Sequence, residues 1–84
     1  NYSKHNVLYL PAPDSDTFDM ELSVFDVAMN LVFNGLVRRS VNNMSVIQWM
    51  PLNKDFKQLS SGIYLYVAKS GDNTKNGKFA ILND

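Results

Sequence analysis

An all-β sandwich is the fold class this sequence predicts, on three observations. Runs of apolar, β-branched and aromatic residues recur at about 10-residue intervals, the spacing of a small sandwich. Gly, Asn, Asp, Pro and Ser, the residues of turns, fill the intervals between them. The chain has 84 residues and no internal repeat or low-complexity tract, enough for one domain over residues 1–84 that buries roughly 60% of its unfolded surface.

The elements follow in order. Asn6 to Leu10 is the first strand, ended by Pro11 and Pro13, which withhold backbone donors and suit a chain running along a sheet edge. Asp14, Ser15 and Asp16 make a polar turn. From Met20 to Asp26, Met20, Leu22 and Val24 alternate with Glu21 and Ser23, so one face is expected to be buried. Asn30 to Val37 follows as a strand interrupted by Asn34-Gly35. Over the same region Met20, Val24, Val27 and Leu31 also fit the 3.6-residue period of a helix, with Ser15 or Asp16 to cap it and Gly35 to end it. The residues alone leave both readings open. Met44 to Trp49 and Gly62 to Lys69 read as central strands with both faces covered, the second alternating Ile63, Leu65 and Val67 against Tyr64, Tyr66 and Ala68. Ser70-Gly71-Asp72-Asn73 has hairpin-turn residues, and Gly77 to Leu82 returns as the last strand.

Composition narrows the function. Eight basic and eight acidic residues give zero formal charge, which argues against a nucleic-acid or anionic-membrane binder. No apolar run approaches the roughly 20 residues of a membrane span. The absence of cysteine removes disulfides, thiolate metal sites and a Cys nucleophile together. The chain opens on Asn1 without a signal-peptide pattern, so it is expected to be a piece of a larger protein whose export address lies upstream or is of another kind.

Catalytic and ligand-binding patterns are sparse. His5 is the sole histidine, and no partner set for a dyad or a zinc site accompanies it. Asp14, Asp16 and Asp19 have the spacing of a calcium loop but lack its glycine and distal glutamate. Phosphate loops, nucleophile elbows and paired catalytic carboxylates are missing as well. Tyr64, Tyr66 and Trp49 would form a sugar-stacking platform if exposed; the expectation is that they fill the core. Asn1-Tyr2-Ser3 and Asn43-Met44-Ser45 match the glycosylation sequon, a tripeptide that arises often by chance. No catalytic, cofactor or metal residue is assigned.

The stretch WMPLNKDFKQLSSGIY, Trp49 to Tyr64, carries a more specific signal. It resembles the W-D-G-x-D-x-x-G-x-x-V-x-S-G-x-Y pattern of two related bacterial immunoglobulin-like families. These are the C-terminal sorting domains of type IX secretion cargo and the Ig-like domain of flagellar hook-capping proteins. Trp49, Asn53, Leu59, Ser61, Gly62 and Tyr64 fall at matching positions without a gap. LSVFDVAMNLVF, Leu22 to Phe33, is similar to the family's I-Y-D-x-x-G-x-x-V strand pair, and GKFAILND, with Lys78, Phe79, Ile81 and Leu82, to its closing K-x-x-V-L strand. The resemblance covers most of the chain. It departs at Met50 and Pro51, where the family has Asp-Gly, at Phe56, which replaces a loop glycine, and at Met29, which replaces the glycine after the I-Y-D strand. Those glycines permit positive φ, so either Asn30 takes the left-handed position or the turn is built differently.

The resemblance implies an Ig-like antiparallel β-sandwich of six or seven strands, with a turn near Asp26 to Asn30 in place of the helix. It further implies a non-catalytic sorting and cell-surface attachment module that needs no cofactor, C-terminal in a larger secreted protein of a Gram-negative bacterium and exported through the periplasm. Its partners would be the secretion or surface-attachment machinery and the upstream domain of the same precursor, without nucleic acid or membrane insertion. Docking would involve the folded surface and the strand Lys78 to Leu82, and Asp84 as the true last residue would favour sorting. The alternatives are an assembly module like the hook-capping domain, or a carbohydrate-binding appendage of an extracellular hydrolase.

Overall fold

The computed structural model describes residues 7–14, 18–40, 43–53, 55 and 57–82. His5, Asp16, Phe56, Asp84 and the sequon at Asn1 lie outside them. Six strands are present among the described residues: β1 (Leu8–Pro11), β2 (Asp19–Asp26), β3 (Leu31–Arg39), β4 (Val46–Trp49), β5 (Gly62–Ser70) and β6 (Asn73–Ile81). They form one antiparallel sheet in the order β1-β4-β3-β2-β5-β6, curled until it is nearly barrel-shaped. The all-β class holds, and the described strands are hydrogen-bonded into one continuous sheet.

The segment that also fitted a helix is the β2–β3 hairpin. Its period-two pattern is satisfied: Met20, Leu22 and Val24 are buried, and they pair with Val37, Gly35 and Phe33 on the same inner face. Gly35 does not interrupt β3. The Phe33 ring lies over it, and a Cβ there would meet Phe33 Cζ at 3.1 Å, so the glycine makes room for an aromatic ring within a continuous strand. The ladder slips by one residue between Val24 and Phe25, a bulge that opens toward the hairpin tip.

On β5, Tyr64, Tyr66 and Ala68 face inward and are buried. The opposite face is only partly covered, with Ile63 49% exposed. The β5–β6 hairpin is tighter than expected: Ser70 pairs with Asn73, leaving only Gly71-Asp72 in the loop. Gly71 alone takes positive φ there, 63°, as in a type II′ turn. That turn starts β6 at Asn73, four residues before Gly77, and the strand ends at Ile81, leaving Leu82 exposed.

The inner faces converge on one core of Leu10, Met20, Leu22, Val24, Ile47, Trp49, Leu59, Tyr64, Tyr66, Ala68 and Ile81. Curling brings strands that are not neighbours in the sheet into contact across the core. Trp49 on β4 meets Phe79 on β6 at 5.8 Å between ring centroids, and the Tyr66 hydroxyl donates to the Pro11 carbonyl at 3.0 Å, tying β5 to β1. One end of the core is closed by Arg39, which is only 4% exposed. Its Nη1 donates to the Met44 carbonyl at 2.7 Å and its Nη2 to the Pro13 carbonyl at 2.6 Å. A guanidinium, with its fork of donors, satisfies carbonyls of two chain segments at once.

Candidate functional site

The residues singled out in the sequence separate into three groups. Trp49, Leu59, Tyr64, Phe79 and Ile81 belong to the core or pack against it. Trp49 sits between Phe33 and Phe79, with centroids at 5.3 and 5.8 Å, and Tyr64 stacks on Phe79 at 5.7 Å. Such ring pairs add to the stabilisation that burial gives. The Tyr64 hydroxyl donates back to the Ser60 carbonyl at 2.8 Å, and Gly62 opens the strand with φ of 157°. Trp49, Tyr64 and Tyr66 are 5%, 7% and 2% exposed, so these rings offer no stacking surface to a sugar.

The second group heads loops. The Asn53 Oδ1 accepts from the amides of Asp55 at 2.8 Å and Lys57 at 3.0 Å, and its own amide donates to the Lys57 carbonyl at 2.8 Å. The turn after β2 repeats this pattern: Asp26 Oδ1 accepts from the amides of Ala28 and Asn30, both at 2.9 Å, and its amide donates to the Asn30 carbonyl at 3.0 Å. Asp and Asn suit such loops because a short side chain can accept from amides a few residues on. The backbone hydrogen bond from Asn30, foremost, holds the Asp26 carboxyl below its ordinary value of 3.8. Within this turn Met29, not Asn30, takes the left-handed conformation, with φ of 67°.

Lys78 and Leu82 form the third group: both lie at the surface and neither contributes to the core. Ser61, just before β5, is also exposed. Burial raises the Tyr64 hydroxyl above its ordinary value of 10.0, with the Asp26 carboxylate adding to the shift, and burial raises Tyr66 likewise. Among the described residues no group of three or more His, Cys, Asp or Glu side chains is placed to hold a metal ion.

Two surface features escaped the sequence reading. The hairpin tip exposes Val27 (71%) and Met29 (63%), and Leu31 and Ile63 continue that apolar surface along the outer face. The other is a cleft of ≈ 380 Å³ where β3 and β4 part, lined by the ion pair of Asp19 and Arg38 together with Leu36, Val37, Gln48, Trp49 and Met50. β3 pairs with β4 only at Arg38↔Gln48 and Arg39↔Ile47. Beyond Gln48 the chain turns away through Pro51, where the Leu52 amide donates to the Met50 carbonyl at 2.7 Å. Pro51, which has no amide hydrogen, is the sequence signal that could have located the cleft.

No family model, curated protein or solved structure matches this chain. A functional reading therefore rests on these residues, on their geometry and on the resemblance carried by the Trp49 to Tyr64 stretch.

Proposed function

We propose that this domain is a non-catalytic sorting and surface-attachment module of a secreted bacterial protein, handled by a type IX-like secretion machinery that reads its folded surface and last strand. The observation that carries this reading is the turn from Asp26 to Asn30. Met29 keeps a φ of 67° at the position where the sorting-domain pattern has glycine, under an aspartate that heads the turn. A methionine held there at a cost in backbone energy makes sense if the chain preserves a turn inherited from a glycine-bearing ancestor. The Asn53 loop, at a second acidic position of the pattern, has the same hydrogen bonds and adds support. An Ig-like kinship is part of the proposal. It draws on the Tyr64 hydroxyl bonded to a carbonyl four residues upstream, as in the tyrosine corner of Ig-like sandwiches. It also draws on the facing of β4 and β6 across the core through Trp49 and Phe79.

The test is a reporter fused to this domain in a type IX-competent bacterium. The intact domain is expected to send the reporter to the cell surface or medium, and a version lacking residues 78–84 is expected to leave it in the periplasm. Truncation also strips Phe79 and Ile81 from the core, so the decisive variant is Lys78→Glu, which changes an exposed charge on β6 and leaves the core intact. Retention of a folded Lys78→Glu fusion places recognition on that strand. A folded, soluble fusion of the intact domain that stays in the periplasm overturns the sorting reading and favours the assembly-module alternative.

A further inference from the structure

We infer that β6 is a self-pairing edge: two copies of this chain join along it, antiparallel about a two-fold axis at Gly77, so that one sheet runs through both molecules. β6 stands at one end of the sheet order and pairs only with β5. The β5–β6 register fixes which of its backbone groups are left over. Ser70 and Asn73 close a two-residue loop, so they exchange backbone hydrogen bonds, and every second pair along the ladder does the same, through Tyr66 with Gly77 to Gly62 with Ile81. Thr74, Asn76, Lys78 and Ala80 therefore turn their amides and carbonyls away from β5. All four are exposed, and none has a further backbone partner among the described residues.

The opposite end of the sheet offers no comparable edge, since β1 has four residues and ends on Pro11. β6 has nine residues, without a proline or an acidic side chain. Lysines guard an edge by setting charge against an incoming strand. Here Lys75 and Lys78 stand on opposite faces of β6, because side chains alternate along a strand, and against a second β6 one register evades them both.

Pairing about a two-fold axis forms rungs only where two outward-turned residues meet. Centred on Gly77, it matches Asn76 with Lys78 and Thr74 with Ala80 of the second copy, so that all four residues of each strand are used. Centring on Asn76 leaves Ala80 out. Centring on Lys78 leaves Thr74 out and sets two lysines directly opposite each other, which is unfavourable. In the Gly77 register each Lys78 instead meets the Asn76 carboxamide, whose oxygen accepts from an ammonium. On the inner face the two Gly77 residues meet at the axis as a pair without mutual hydrogen bonds, the kind whose Cα atoms approach to about 4.5 Å. No side chain stands in the way there. Two residues from the axis, Lys75 comes level with Phe79 of the second copy, a half-buried ring that its methylene stem covers. The strand that answers β6 at every rung is thus β6 itself, and the inference stands apart from the sorting reading.

An edge-to-edge contact buries less than the roughly 1,200 Å² of a standard interface, so sedimentation equilibrium is expected to give a dimer dissociation constant of about 0.1 mM. A sample mixed from 13C-labelled and unlabelled domain is expected to show intermolecular nuclear Overhauser effects between the Gly77 α-protons of the two copies, and between those of Lys75 and Phe79. Asn76→Pro removes an amide that the fold does not use, and is expected to weaken dimerisation about tenfold or more while the variant stays folded. Lys78→Gln relieves the diagonal repulsion between the two lysines and is expected to strengthen dimerisation about threefold, the direction in which added salt is expected to act on the unaltered domain. A domain that stays monomeric at about 1 mM, a folded Asn76→Pro variant that dimerises equally well, or intermolecular contacts centred on other residues overturns the inference. If Asn76→Pro does not fold, the α-proton contacts of the unaltered domain decide alone: their presence at Gly77 upholds the pairing and their absence in a dimer overturns it.

Discussion

Met29 is held in the left-handed region, yet its side chain is 63% exposed and gains little from burial there. For a residue with a Cβ that conformation costs roughly 1–2 kcal/mol, while glycine in its place would lose about 0.5–1 kcal/mol to the greater freedom of the unfolded chain. Met29→Gly is therefore expected to stabilise the domain by about 0.5 kcal/mol, read as a higher urea midpoint with an unchanged slope. A lower midpoint would mean that the Met29 thioether contributes more to the hairpin tip than its exposure indicates. The loop-heading role of Asp26 and Asn53 was half legible in the sequence. Both stood out as residues aligned with a pattern, but the hydrogen bonds that make them equivalent depend on where the chain goes four residues later.

At the scale of elements, two strands tolerate an inward-facing glycine because an aromatic ring occupies the space. On β6 a Cβ at Gly77 would lie 3.0 Å from Cε1 of Tyr66, and that ring is anchored by its hydroxyl to Pro11. Gly77→Ala is expected to destabilise the domain by about 1–3 kcal/mol through overpacking. An unchanged thermal midpoint would show that the tyrosine shifts freely. The alternation in β2 and β5 was readable because a half-buried strand imposes period two on its residues. The first half of β6 was not: Asn73, Thr74, Lys75 and Asn76 are all exposed, so burial wrote no pattern there, and the tight Gly71-Asp72 turn holds them in the ladder. The passage of β3 through Gly35 was equally hidden, since it depends on the Phe33 ring.

For the molecule as a whole, the sequence led to the right class and to the core positions Trp49 and Tyr64, but not to the closure of the sheet. Closure depends on contacts between distant segments, Trp49 with Phe79 and Tyr66 with Pro11, that periodicity does not encode. Arg39 went unread because Arg38-Arg39 looks like a solvated basic pair, and only the assembled sheet encloses Arg39. The same closure makes the domain sensitive to base. Tyr64 and Tyr66 are neutral and their folded pKa values are raised above the ordinary 10.0. Their contribution is complete below that pH. It is lost as pH rises, because the unfolded chain releases protons the folded one keeps. Urea midpoints are expected to fall above about pH 10, and less steeply in Tyr66→Phe, which forfeits the hydrogen bond to Pro11 but removes one titrating group. Equal slopes for the two proteins would show that Tyr66 titrates as it does in the unfolded chain. The bond from Tyr66 to Pro11 also spans 55 residues, the longest reach among the hydrogen bonds described within the fold apart from that of Asn73 to Asp14. The β2–β3 and β5–β6 hairpins close over short loops and can assemble early, whereas β1 pairs only with β4, 35 or more residues on, and reaches β5 through the Tyr66 hydroxyl alone. Of the described strands, the first to leave a ribosome is thus expected to be the last to find its place, and until it does the Tyr66 hydroxyl lacks its acceptor on Pro11.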